Sequence, residues 1–171
     1  MRHGQTNYNL QGLCSSDPNK PVFLTDEGLR QAQEGAEKLR DTPIEKIYTS
    51  QLPRTRQTAE AVNRYHNVPI EARAEINDIR TGYDSRPIDE YMQSIAHDPL
   101  HARAENGESQ IQHKDRIVAF IHWLESQPLD HVLVVAHEET LRVFTAHFRG
   151  YPAEHLRQMS FANCEILEFE P

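Results

Sequence analysis

The chain has 171 residues, 37% of them hydrophobic, which predicts a single domain built around one core. Its 26 acidic and 18 basic side chains give a formal net charge of −8, which argues against nucleic acid or an anionic membrane as partner and leaves any anionic substrate to be held by local arginines. Two distant cysteines, Cys14 and Cys164, read as free thiols of a reducing compartment; there is no basic-then-apolar leader and no apolar stretch of membrane-spanning length, so the expected location is the cytoplasm.

In chain order, residues 2–9 read Arg-His-Gly-Gln-Thr-Asn-Tyr-Asn, and residues 10–23, with Gly12, Asp17, Pro18, Asn19 and Pro21, predict a loop. Thr25 is suited to cap a helix whose first turn carries Asp26 and Glu27, with Leu29, Ala32, Ala36 and Leu39 as its apolar stripe. A short strand is expected at 46–50. Pro53 then opens a helix that turns Ala59, Val62 and Tyr65 to the core, and a further strand is expected at 67–73. Residues 78–108 are irregular, with Gly82, Pro87, Pro99 and Gly107. Ser109 precedes an amphipathic helix carrying Ile117, Val118, Ile121 and Leu124. Residues 132–136 form the clearest buried strand, 138–148 a helix aligning Leu141, Phe144 and Phe148, and 164–169 a final strand. Alternating helices and strands predict an α/β fold, a mostly parallel sheet covered on both faces, whose sites form beyond the carboxyl ends of its strands; His137 follows such an end.

An Arg-His-Gly loop at one end and a strand-then-histidine at the other suggest a histidine nucleophile. A neutral imidazole among guanidinium groups can attack phosphorus, because the arginines offset the charge of the phosphoryl oxygens. A metal hydrolase fits poorly. His137-Glu138-Glu139-Thr140-Leu141 places Leu141 where a zinc helix has its second histidine. There is also no glycine-rich nucleotide loop with a lysine.

Five segments in order resemble the histidine phosphatase, or phosphoglycerate-mutase-like, superfamily. They are Arg2-His3-Gly4-Gln5-Thr6 with Asn9; Leu24-Thr25 with Gly28, Gln31 and Ala32; Ser50, Leu52, Arg54, Gln57, Thr58 and Ala59; Gly107-Glu108-Ser109; and Val134-Val135-Ala136-His137. The resemblance covers nearly the whole chain and implies a three-layer α/β/α sandwich as one domain over 1–171. It implies a phosphomonoester hydrolase acting on a small phosphorylated metabolite through a phosphohistidine, without cofactor or metal. His3 would be the nucleophile, Arg2 and Arg54 the clamp on the phosphoryl oxygens, and His137 the stabiliser of the transferring group. Thr6 and Asn9 would either bind phosphate or cap the loop. The family's leaving-group acid aligns with Asp78 by spacing to Gly82, with Glu75 as competitor because Glu75-Ile76 imitates the same motif. The short stretch around the acid favours a phosphatase over a mutase-type phosphoryl transfer, and a non-catalytic phosphate-binding member is the rival from another class.

Three departures from the pattern stand out. Met1 directly precedes Arg2 where the family has an apolar strand, so the usual first strand is expected to be missing and to belong upstream. Glu138 and Glu139 follow His137 in place of glycine, either pointing away as first-turn residues or meeting a cationic group on the substrate. Tyr83-Asp84-Ser85-Arg86 replaces a Trp-Glu-Gly-like segment, making residues 83–105 a substrate-facing cap with Arg86, Tyr91 and Arg103 as candidate contacts.

Overall fold

The computed structural model describes residues 1–170. Three parallel strands, β1 (Lys46–Thr49), β2 (Ile70–Ala72) and β3 (Val132–Val135), lie in the order β2-β1-β3. Helices α2 (Asp26–Leu39) and α3 (Pro53–Asn63) cover one face, and α5 (Gln110–Glu125) and α6 (Glu138–Arg149) the other. Strand alternation sorts the core. Ile47, Leu133 and Val135 pack with Ala32, Ala36, Ala59 and Val62, whereas Tyr48 joins Ile117, Phe120, Ile121, Val143 and Phe144. In register, Ile47 pairs with Leu133 and Tyr48 with Val134, so each face of the sheet is apolar and each needs its own helical layer. Among the described residues, no helix is long and apolar enough to cross a membrane.

The caps form as their sequences dictate. Thr25 Oγ1 accepts from Gly28 N at 3.0 Å, Pro53 opens α3, and Ser109 and Gln112 form a reciprocal box at the start of α5. The predicted stripe of α2 is corrected: Leu29 is exposed, and the buried positions are Gly28, Ala32, Gly35 and Ala36. Small residues at that spacing let α2 approach closely, and Leu29 lies off the face they define. Tyr65 is exposed as well. It falls beyond the end of α3, and its hydroxyl bonds the Glu37 carboxylate.

Two further expectations change. Residues Asn7–Gln11 of the predicted loop region and its approach form a short helix, α1, because Thr6 and Asn9 make a capping box: Thr6 N donates to Asn9 Oδ1 at 2.9 Å and Asn9 N to Thr6 Oγ1 at 3.1 Å. Residues 164–169 form no strand. Cys164 N bonds His3 O and Arg2 N bonds Glu165 O, too short a pairing for a ladder, and the segment then packs Phe169 against Phe144 and Phe148. Residues 1–3 themselves occupy the slot beside β3: Met1 N donates to Val134 O at 2.8 Å, Ala136 N to Met1 O at 3.0 Å and His3 N to Ala136 O at 3.0 Å. Both cysteines are free and buried.

Residues 83–105, expected as irregular, contain α4 (Ile88–Ser94), with Tyr91 and Ile95 packed on Cys14 and Ala104. Cys14 N bonds Arg86 O and Ile88 N bonds Gly12 O, which fastens this segment to the loop after α1. Arg86 pairs with Glu90 and Glu105 over the Tyr83 ring, and Arg103 Nε bonds Gly107 O; of the three candidate contacts only Tyr91 lines the pocket described below.

The Arg-His-Gly loop is seated on the first turn of α2 by two glycines. A Cβ on Gly28 would collide with the Gln5 carbonyl, and one on Gly4 with the Gly28 carbonyl. Gln31 Oε1 accepts from Gln5 N at 2.9 Å and Thr58 Oγ1 from Gly4 N at 3.1 Å, so both helices of this layer grip the loop. Gly28→Ala should therefore cost about 1–3 kcal/mol in chemical denaturation, as over-packing does. It should also shift His3, which the same loop carries.

Candidate active site

His3, Ser50 and His137 follow, respectively, the pairing of residues 1–3 with β3, the end of β1 and the end of β3, so neighbouring strands deliver their side chains to one place. Pro53 starts α3 so that Arg54 enters the same place from its first turn, and Asp78 arrives from the turn after β2. His3, Arg54 and Asp78, together with Arg2, line a hollow of about 350 Å³ whose walls also include Tyr8, Val22, Ile88, Met92, Arg142 and Arg157, while Ser50 and His137 lie buried behind them. A second hollow, of about 310 Å³, lies between Leu39, Leu129, Val132 and Phe169 and holds none of these groups.

The buried Arg54 guanidinium ties the set together. Its Nε donates to His3 Nε2 at 3.1 Å, its Nη2 to Asp78 Oδ2 at 2.9 Å and to Ser15 O at 3.0 Å, and its Nη1 to Ser15 Oγ at 3.2 Å. His3 Nδ1 lies 2.7 Å from Gly4 O, which can only accept, so Nδ1 carries the proton and Nε2 keeps the lone pair that accepts from Arg54 Nε. Burial first, and then the charges of Arg54 and Arg2, hold the His3 pKa well below the ordinary histidine value. Burial, Arg54 and His3 do the same to His137, so both rings are neutral. They meet edge to face with centroids 5.3 Å apart. His137 Nε2 lies 2.8 Å from Ser50 Oγ, and its Nδ1 has no hydrogen-bond partner among the described residues and stands 3.5 Å from Asp78 Oδ2. His137 also caps α6, whose positive end favours negative charge developing in the hollow.

Of the two candidate acids, Asp78 lines the hollow, whereas Glu75 is 44% exposed and paired with Arg73 outside it. Burial raises the Asp78 pKa above the usual carboxylate value even though Arg54 pulls the other way. Arg2 Nη1 pairs with Glu138 Oε2 at 3.0 Å and donates to the Phe161 carbonyl. Glu138 and Glu139 both line the hollow, so neither points away, and both are matched by Arg142 at 3.0 and 2.6 Å. Thr6 and Asn9 reach the wall of the hollow while making the α1 capping box.

Ser15, Ser50 and Arg157 escaped the sequence reading. Ser50 stood inside a recognised motif, but only its contact with His137 gives it a role. Ser15 and Arg157 have no local signal and arrive through tertiary packing. Behind Asp78, Glu108 clamps the acid-bearing turn: its Oε1 accepts from Arg80 N at 3.1 Å, and its Arg116 partner donates to Glu75 O at 2.7 Å and Asn77 O at 3.0 Å.

A family model for the histidine phosphatase superfamily, branch 1, matches residues 1–171. The chain belongs to that superfamily. It is 32% identical to the adenosylcobalamin/alpha-ribazole phosphatase of Escherichia coli (strain K12) over 163 residues, which is 90% of this chain and 79% of that protein. It is 30% identical to human 6-phosphofructo-2-kinase/fructose-2,6-bisphosphatase 4 over 182 aligned positions, 99% of this chain but only 36% of that longer protein. Among solved structures, the alpha-ribazole phosphatase of Shigella flexneri superimposes with a TM-score of 0.86 at 29% identity, covering 96% of this chain and 85% of that one. The phosphoglycerate-mutase-like fold is thus confirmed, and this histidine phosphatase has the architecture for phosphohistidine-mediated hydrolysis of small phosphorylated compounds.

The Glu108 clamp has a pH signature. Burial alone would raise its pKa, but His113 and Arg116 outweigh burial and hold it at about 2, below the unfolded value of 4.5. Between those values the unfolded chain binds the extra proton. The contribution of Glu108 to stability is therefore complete above pH 4.5 and disappears as pH falls towards 2. The difference in unfolding free energy between the wild type and Glu108→Gln should shrink over that window, as read by denaturant titration at a series of pH values.

Proposed function

We propose that the protein is a cofactor-independent phosphomonoesterase in which His3 Nε2 attacks phosphorus. The observation that carries this reading is the unprotonated His3 Nε2, fixed by the Gly4 carbonyl on one side and the Arg54 guanidinium on the other. As substrate enters, the Arg54 N–H groups turn from His3 to the phosphoryl oxygens, and Arg2 exchanges Glu138 for the same anion. His137, neutral and with a buried Nδ1 left without a partner beside Asp78, stabilises the charge on the transferring group. Thr6 and Asn9 supply further polar contacts at the wall.

The N–P bond forms as the P–O bond to the leaving group breaks, and the proton of Asp78 passes to the departing oxygen. The Asp78 carboxylate then takes a proton from water, whose oxygen displaces His3 and releases inorganic phosphate. A raised Asp78 pKa keeps that proton available at mildly acidic pH, which supports an acid-type phosphatase. For the substrate, the similarity to alpha-ribazole phosphatases and the apolar rim of Tyr8, Val22, Ile88, Tyr91 and Met92 favour a phosphate ester with a flat apolar group, of the α-ribazole phosphate kind. Residues 83–105 form the cap that contacts this group.

Phosphate release from p-nitrophenyl phosphate in the presence of EDTA should vanish in His3→Ala. Persistent turnover in that variant would overturn the assignment of His3. Asp78→Asn should slow alkyl phosphates far more than aryl ones, because an aryl leaving group needs little protonation. Wild-type kcat/KM toward alkyl phosphates should also fall as pH rises through the raised Asp78 pKa, and the variant should lose that limb. Equal slowing of both substrate types would remove Asp78 from the acid role.

A further inference from the structure

At the end of the α5–α6 layer away from the phosphate hollow, three side chains with metal-binding atoms converge without a partner. His122 and Glu125 share a face of the last turn of α5, and His147 extends from the last turn of α6. One ligand atom from each lies within 4.8 Å of the other two, and the two imidazole rings stand 5.5 Å apart at 67°. None of the three side chains makes a hydrogen bond or ion pair with a described residue, although other surface glutamates, such as Glu60 and Glu71, are held by arginine or lysine. Electrostatics adds a second reason. Glu125 is the final residue of α5, where the helix already presents negative carbonyl ends, and the last turn of α6 brings its own beside it. An anion is poorly placed there unless a cation lies between the two helix ends.

We propose that His122, Glu125 and His147 bind one divalent transition-metal ion of the zinc class. Two imidazole nitrogens and a carboxylate oxygen are a donor set zinc accepts, with water completing a tetrahedron. Magnesium and calcium would want more oxygen ligands than this cluster offers. Ligands on a zinc ion, bonded at about 2.0–2.2 Å, stand roughly 3.3 Å apart. His122 and Glu125 are exposed and His147 is half-exposed, so rotation of their side chains closes the present separation without moving the helices. The site would staple the C-terminal turn of α5 to that of α6. His147 lies ten residues beyond His137, roughly 15 Å along α6 at the helical rise, so the ion takes no part in phosphoryl transfer.

The test uses the full chain without an affinity tag, because tag histidines would bind the probe. Zinc chloride is titrated calorimetrically into the wild type, His122→Ala, His147→Ala and Glu125→Gln, with melting temperature and p-nitrophenyl phosphate hydrolysis followed in parallel. The expected result is a single zinc ion per wild-type chain and a rise in Tm of roughly 5 °C or more at a hundredfold excess over Kd. Binding should be lost in both histidine variants and weakened roughly tenfold or more by Glu125→Gln, with metal-free hydrolysis equal to wild type in all three. No binding to the wild type, or undiminished binding to His122→Ala and His147→Ala, overturns the site. Undiminished binding accompanied by equal inhibition of wild type and variants would place the ion on His3 and His137 instead, and would leave the hydrolase reading untouched.

Discussion

The active hollow depends on one buried cation. The Arg54 guanidinium reaches His3, Asp78 and Ser15 at once, which are side chains from three separate parts of the chain. A charge so enclosed is tolerable only when its donors are satisfied and a counter-charge is near. Asp78 supplies that counter-charge. The guanidinium also acts on the neighbouring imidazoles: burial first, and the Arg54 charge after it, hold the pKa values of His3 and His137 well below the ordinary histidine value.

The parallel sheet makes this convergence cheap. Residues 1–3, β1 and β3 lie side by side, and each releases its chain at the same edge. His3, Ser50 and His137 therefore arrive as neighbours although they are far apart in sequence. Helix α3 begins four residues after β1, which brings Arg54 in on its first turn. The Gly4–Gly28 contact completes the frame, since only backbone-to-backbone packing brings the His3 loop low enough to face Arg54.

Glu138 and Glu139 show how a negatively charged protein can hold negative groups beside a phosphate site. They pair with Arg2 and Arg142 and line the hollow as parts of ion pairs, not as free carboxylates. Under the proposed function, an incoming phosphate would compete with Glu138 for Arg2, with the carboxylate as stand-in for the substrate anion in the free site. The sequence framed the choice as pointing away or meeting a cation on the substrate; the cation is supplied by the protein itself.

Local pattern determined much of this protein. Capping residues, the proline at the start of α3 and the apolar run of β3 act over a few residues, so they could be read directly, and the ordered motifs named the family. Elements whose form rests on distant partners were misread: the α2 face, chosen by small residues rather than by Leu29; the 164–169 segment, whose neighbour offers too few pairing positions; and α4, whose packing partner Cys14 comes from another part of the chain. Spacing to Gly82 favoured Asp78 over Glu75, but only the tertiary structure gave the two similar carboxylates different surroundings: one meets Arg54 inside the hollow while the other meets Arg73 at the surface. Burial and partnership, which decide a carboxylate's pKa and its reach, are properties of the folded chain and have no local signature.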